Sequence, residues 1–212
     1  MGKRAIGIKQ FLEKEFDCWE FEGDWKLSLG KPEKNFKMCV YGDSGNGKTS
    51  FCIKLAKYLA GFTRVYYNSF EEGISKTLQD ALVRENMMEV QGKVVFGDKE
   101  SFKEVIARLK RRNSPRICFI DSRDYMKLTT DQYKELIKLF PRKSFILICW
   151  SKSDSPKGEY GKDIEYMADI KIKVTNYIAE VRSRFGGNTD FVIWAEGAAK
   201  KAKKNNTQRT LF

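Results

Sequence analysis

Apolar and polar positions along the 212-residue chain follow two rhythms, and the change from one to the other marks the elements. Ile6, Ile8, Phe11, Leu12 and Phe16 repeat at helical spacing and predict a short amphipathic helix. An aromatic-rich, irregular lead-in follows, "CWEFEGDWKLSLGKPEKN". "FKMCVY" is a short apolar run ending at Gly42, the pattern of a buried strand. "KTSFCIKLAKYLAG" returns to the helical period and stops at Gly61. Strand and helix then alternate: "RVYYNSF", "EEGISKTLQDALVREN", "KVVF", "KESFKEVIARLKRR", "RICFID", "TTDQYKELIKLF" behind a threonine cap, and "SFILICW". Such alternation predicts an α/β fold whose mostly parallel sheet is covered by helices on both faces. Beyond it, "ADIKIKV", "YIAEVRSRF" and "DFVIWAE" alternate every second residue between turn-like "TN" and "GGNT", which predicts an antiparallel meander at one sheet edge. The expected organisation is a helix and lead-in over 1–35, a core over 36–196, and a polar, mobile basic tail over 197–212.

Between the first strand and its helix lies "GDSGNGKTS". Gly42, Gly45, Gly47, Lys48 and Thr49 fill every fixed position of the phosphate-binding pattern G-x-x-x-x-G-K-[ST]. Glycines let the backbone N–H groups of Gly42, Asp43, Ser44, Gly45, Asn46, Gly47, Lys48, Thr49 and Ser50 turn toward phosphate oxygens. Lys48 reaches the outer phosphates and Thr49 offers a hydroxyl to Mg²⁺, so ATP with Mg²⁺ is the expected ligand. Asp121, closing the strand "ICFID", falls where open α/β sheets bind ligands, and is the second expected Mg²⁺ ligand. Glu71 and Glu72 in "NSFEEG" follow the next strand. One carboxylate there can align the attacking water while its neighbour favours a helix N-terminus through the dipole.

Composition narrows the chemistry. Lys plus Arg outnumber Asp plus Glu by 40 to 28, a net charge of +12, which favours polyanionic partners. Histidine is absent, so Ser-His-Asp and Cys-His catalysis and His-ligated zinc are excluded. The five cysteines lack CxxC spacing and fall largely in apolar runs, as in a reduced cytoplasmic protein. The charged start "MGKRAIGIKQFLEKEF" does not fit a secretory signal, and Ile6 departs from the myristoylation pattern. No run is long enough to span a membrane.

Together these residues resemble the RecA-like P-loop ATPases, most closely the ATPase core of the bacterial RadA (Sms) and KaiC branch. "SFEEG" looks like that branch's strand-then-Glu-Glu element, which implies a catalytic role for Glu71 and a supporting one for Glu72. "CWSKSDSPKGEYGKDIEYMADIKIKV" is similar to its Thr-Lys loop and following acidic segment, with Lys152 on the family lysine and Glu165, Met167 and Asp169 on its Glu, Met and Asp. "VRSRFGGNTDFVIW" resembles the "KNRFG" motif, with Arg182 where the family has lysine, Ser183 for its asparagine, and Arg184, Phe185 and Gly186 in place. The likeness spans Phe36 to Trp194. It implies a homo-oligomeric ring or filament with ATP between subunits, Lys152, Arg182 or Arg184 of one subunit completing its neighbour's site.

The tail adds "KKAKK", Lys200 to Lys204, a run suited to a phosphate backbone. The closing "QRTLF", Gln208 to Phe212, resembles the peptide by which bacterial replication and repair proteins dock on the sliding clamp. The leading expectation is an ATP-hydrolysing enzyme acting on DNA, single-stranded DNA first, in recombination, repair or replication. A KaiC-like regulatory ATPase acting on protein partners without DNA is the alternative, and a small-molecule kinase a third. "AAKKAKKNN" has no bulky apolar face, which argues against a membrane role.

Overall fold

A computed structural model describes residues 5–152 and 154–209, with side chains as far as 202 in the last helix. The sheet has nine strands: β1 (Lys37–Gly42), β2 (Val65–Ser69), β3 (Val94–Asp98), β4 (Ile117–Asp121), β5 (Ser144–Lys152), β6 (Ser155–Pro156), β7 (Ile170–Thr175), β8 (Ile178–Ser183) and β9 (Phe191–Val192). Their order is β3-β2-β4-β5-β1-β7-β8-β9, with β6 paired to β5. From β3 through β7 the neighbours are parallel, and β7, β8 and β9 form the antiparallel edge. The sheet is therefore α/β and mostly parallel, as the alternation of periods predicts.

The helices are α1 (Ile8–Leu12), α2 (Gly23–Leu29), α3 (Lys48–Ala60), α4 (Lys76–Arg84), α5 (Phe102–Lys110), α6 (Arg123–Met126), α7 (Thr130–Leu139), α8 (Gly158–Met167) and α9 (Ala195–Arg209). Phe51, Leu55 and Leu59 of α3 pack on one sheet face. Val105 and Leu109 of α5, Tyr133 and Leu136 of α7 and Ile164 of α8 cover the other. Coverage from both sides is why β1, β2 and β4 are buried at every position and lack alternation. Local chemistry sets the helix starts. Ser101 and Glu104 form a reciprocal capping box on α5, Thr129 and Gln132 do so on α7, and the Ser75 hydroxyl accepts the Leu78 N–H of α4.

Several expectations need correction. The helix expected to begin at the Glu71–Glu72 pair starts at Lys76, because Ser75 is the residue that caps it. α1 covers only Ile8–Leu12 and buries none of its residues, since a helix that short offers no stripe wide enough to dock. The lead-in is an integral part of the core: Trp19, Phe21 and Leu29 are buried, and Trp25 stacks on Phe191 with ring centroids 4.2 Å apart. The third meander strand shrinks to Phe191–Val192. The polar basic tail forms a helix through Arg209, in keeping with the strong helix formers of "AEGAAKKAKK". In the Gln208–Phe212 peptide, residues 210–212 and all the side chains lie outside the described residues. Among the described residues, no helix is long and apolar enough to cross a membrane. All five cysteines are free thiols.

The lead-in is locked to the meander through the turn after β8. Asn188 N–H donates to Ser28 O and Thr189 N–H to Leu27 O, at 2.9 and 3.1 Å. Gly187 makes the approach possible: its φ is +83°, and a Cβ there would stand 2.7 Å from Ser28 O. Gly187→Ala should therefore cost about 2 kcal/mol and lower the melting temperature by about 4–8 °C, measured by circular dichroism.

Candidate functional site

The glycine-rich loop leaves β1 at the carboxyl end of the parallel sheet, between neighbours β5 and β7, and runs directly into α3. Two glycines are required there by sterics. Gly42 has φ +155° and passes so close to β7 that a Cβ would meet Val174 O at 2.2 Å. Gly47 caps α3 at φ +103°, and a Cβ would strike the Tyr177 ring at 2.8 Å. Among the described residues, the backbone N–H groups from Ser44 through Ser50 have no protein acceptor. Lys48 Nζ donates to Gly42 O at 2.8 Å and Asp43 O at 3.0 Å, folding its charge over the loop. The start of α3 thus offers free donors, a positive dipole end and an ammonium group at one place, a chemistry matched to phosphate.

The loop itself is held from behind. Asn46 accepts twice, its backbone O from Tyr177 N–H at 3.0 Å and its Oδ1 from Asn176 N–H at 3.1 Å, both on the β7–β8 turn. Lys201 of α9 donates to the same Oδ1 at 2.9 Å and to Gly45 O at 3.2 Å. These supports come from the far end of the chain and no short motif announces them.

One cleft of about 440 Å³ opens over Asp43, Lys48, Glu71, Trp150, Lys152 and Lys157. Glu71 and Glu72, adjacent in sequence, face different surroundings. Glu71 lines that cleft and accepts from Trp150 Nε1 at 3.3 Å. Glu72 accepts from Ser75 Oγ at 3.2 Å and Thr77 Oγ1 at 2.9 Å, at the start of α4. Asp121 lies at the end of β4, level with Ser69 of β2 and next to both glutamates. It is 7% exposed and hydrogen-bonded by the Tyr67 hydroxyl. Burial pushes its pKa up to about 6, assisted by the charges of Glu71 and Glu72 and opposed by Tyr67 and Lys48.

Mg²⁺ characteristically takes one or two protein oxygens and completes its shell with phosphate and water. Thr49 in the first turn of α3 and the buried Asp121 carboxylate fit that donor set, and Ser122 Oγ beside Asp121 is a buried hydroxyl without a protein partner. No group of three or more His, Cys, Asp or Glu side chains suited to a protein-only metal cage occurs among the described residues.

The basic residues singled out in the sequence separate. Lys152 belongs to the cleft. Arg182 pairs with Lys171, which in turn is level with Cys39 in β1, below Gly42. Arg184 lies lower still, 3.7 Å from Asp169 Oδ1, and its N–H donates to Asp169 O. Within one chain, Arg182 and Arg184 are thus remote from Lys48, and Arg184 ties the foot of β8 to the foot of β7.

A second cleft, also about 440 Å³, lies on the other side of the loop beside Ser50. Arg84, Tyr177, Ile193 and Trp194 line it; Arg84 Nη2 donates to Ser50 Oγ at 3.4 Å, and the Tyr177 and Trp194 rings meet edge to face at 5.1 Å. Flat aromatic walls and a guanidinium suit a planar heterocycle. Sequence reasoning missed this cleft, and its one signal is the aromatic pair framing the β8–β9 segment. No protein-family model and no curated protein matches the chain.

Proposed function

We propose that the chain is a RecA-like P-loop ATPase that binds Mg²⁺-ATP on the Gly42–Ser50 loop and uses its hydrolysis in the handling of DNA. The observation that carries the reading is the run of acceptor-free N–H groups from Ser44 to Ser50 beside Lys48, with Asp121 and Glu71 on the neighbouring strand ends. The loop amides and Lys48 bind the triphosphate oxygens, and Lys48 releases its two carbonyl contacts to do so. Thr49 and Asp121 would hold Mg²⁺, which when bound would neutralise charge building on the phosphate oxygens. Glu71 aligns a water and accepts its proton, with Trp150 Nε1 fixing the carboxylate. Glu72 serves the helix start and supports its neighbour. Arg84, Tyr177 and Trp194 orient the nucleobase in the second cleft.

The remoteness of Arg182 and Arg184 from their own loop is compatible with the in-trans role that the resemblance implies, in a homo-oligomer where a neighbour's base completes the site. Lys152, already at the cleft, acts within the chain on this reading. DNA as the partner follows from the +12 charge and the family likeness; the KaiC-like alternative keeps the site and dispenses with DNA.

Lys48→Ala tests the nucleotide site. Losing one charge-assisted phosphate contact should weaken binding of a fluorescent ATP analogue by about 30-fold with the melting temperature unchanged. Unaltered binding would refute the site.

A further inference from the structure

One end of the sheet concentrates exposed arginines. Segments leaving the parallel strands at the loop end mix carboxylates, Glu71, Glu72 and Asp121 among them, with Lys48, Lys99, Arg123 and Lys157. Segments entering those strands at the opposite end carry Arg64 before β2, Lys93 before β3, Arg111, Arg112 and Arg116 before β4, and Arg142 before β5. Because the sheet order is β3-β2-β4-β5-β1, these entries are consecutive neighbours. Three spacings of about 4.8 Å place these four entries across a face about 14 Å wide.

Some of these cations build the platform. Lys143 donates to Ser114 Oγ at 2.9 Å and Pro115 O at 2.7 Å, and Arg64 Nη1 donates to Asn113 O at 2.9 Å. Arg116 stands 3.9 Å from Asp17 Oδ2, which also pairs with Lys34 at 2.6 Å. These contacts stitch four successive strand entries into one rigid surface. Others do no such work. Arg111, Arg112 and Arg142 are exposed, and none makes a salt bridge among the described residues. Arg111 is the C-cap of α5, where the dipole favours a cation, but Arg112 and Arg142 lie beyond the helices and have no such account. Between them opens a cleft of about 450 Å³ that Arg116 and Arg142 share, with Asp17 and Glu33 the carboxylates at its margin.

We infer that this end of the sheet, centred on Arg111, Arg112 and Arg142, is a docking face for the phosphate backbone of a nucleic acid strand, on the side of the molecule opposite the glycine-rich loop. The occupant follows from chemistry. Guanidinium groups grip phosphates with paired N–H donors. A face about 14 Å wide spans on the order of four phosphates of a stacked strand, at one per 3.4 Å. A lipid surface is a poorer fit, because Phe62 at this end is packed against Trp19 and Phe21, leaving the small Leu139, Phe140 and Pro141 group as the apolar surface beside Arg142, less than an anchor needs. For its biological setting the inference rests on the DNA-handling part of the proposed function, but it names a surface which that reading leaves unassigned.

The test uses the full chain with Arg111, Arg112 and Arg142 all changed to Gln, and again to Glu. Fluorescence anisotropy of a labelled single DNA strand of mixed sequence is followed across a salt series. The wild type should bind with strong salt dependence. The Gln variant should lose about tenfold or more in affinity at low salt, with a salt slope shallower by about 2, close to three contacts at about 0.7 each. The Glu variant should lose more, and both should bind the fluorescent ATP analogue as the wild type does. Equal strand binding by wild type and variants overturns this face alone, as does loss of binding confined to a Lys200→Gln, Lys203→Gln, Lys204→Gln variant. Absence of strand binding by the wild type with ATP binding intact overturns both this face and the DNA half of the proposed function. Preferential capture by phosphatidylcholine vesicles doped with phosphatidylserine would show the face to be a membrane contact and overturn the inference.

Discussion

Glu71→Gln is expected to lower ATP turnover by about 10²–10³-fold while leaving ATP affinity within about threefold of wild type. The amide keeps the size of the carboxylate and can still accept from Trp150 Nε1, so the cleft stays closed around the same shape. What it loses is the ability to take a proton from water. The neighbouring substitution provides the control. Glu72→Gln removes charge from the start of α4, where Ser75 and Thr77 are its partners, and should cost about 0.5–1 kcal/mol of stability with little change in turnover. Phosphate release under saturating Mg²⁺-ATP and equilibrium nucleotide binding separate the two. If Glu72→Gln proves inactive and Glu71→Gln active, the roles are reversed and the Trp150 contact is merely structural.

Asp121→Asn should produce effects of opposite sign on turnover and on stability. On the proposed role of Asp121 as a Mg²⁺ ligand, its removal should reduce turnover by on the order of 100-fold. The nucleotide-free protein should nevertheless become more stable at pH 7.5. Asp121 has its pKa raised from 3.8 to about 6, so between those values the folded chain holds a proton that the unfolded chain has released. Its contribution therefore favours the fold at acid pH and is lost as pH rises through 6. The gap between 3.8 and about 6 corresponds to about 3 kcal/mol of buried-charge cost at neutral pH. Asparagine escapes that cost but bonds the Tyr67 hydroxyl more weakly, leaving a net gain of about 1–2 kcal/mol, or about 2–8 °C. Melting curves from pH 5 to pH 8 should show the gain shrinking toward the acid end. Destabilisation at every pH would mean that the carboxylate is held by favourable contacts rather than merely tolerated.

The parts of this molecule that follow from local rules were legible in the sequence. The step from "FKMCVY" through Gly42 into α3, the cap at Thr129, and the position of Asp121 all depend on residues within one turn or strand of each other. Elements with weak periodicity were not. α8 has buried positions at Gly161 and Ile164 only, and its glycine hides the helical signal. The alternation in "DFVIWAE" promised a full strand, but pairing ends at Val192 and helix formers take over from Ala195. The surroundings of the loop were the least accessible. Tyr177, Lys201 and Trp150 meet it only because β1 lies between β5 and β7, and that order belongs to the topology rather than to any segment.

The four tryptophans fall into two optical classes. Trp19 and Trp25 sit in the aromatic cluster between the lead-in and α3, Trp19 being 5% exposed. Trp150 and Trp194 each form a wall of one of the two clefts flanking the loop, Trp194 being 46% exposed. The red side of the emission band therefore follows the indoles in contact with solvent at the clefts, whereas its blue side follows the cluster. An unlabelled sample thus carries separate intrinsic reporters for ligand entry and for unfolding.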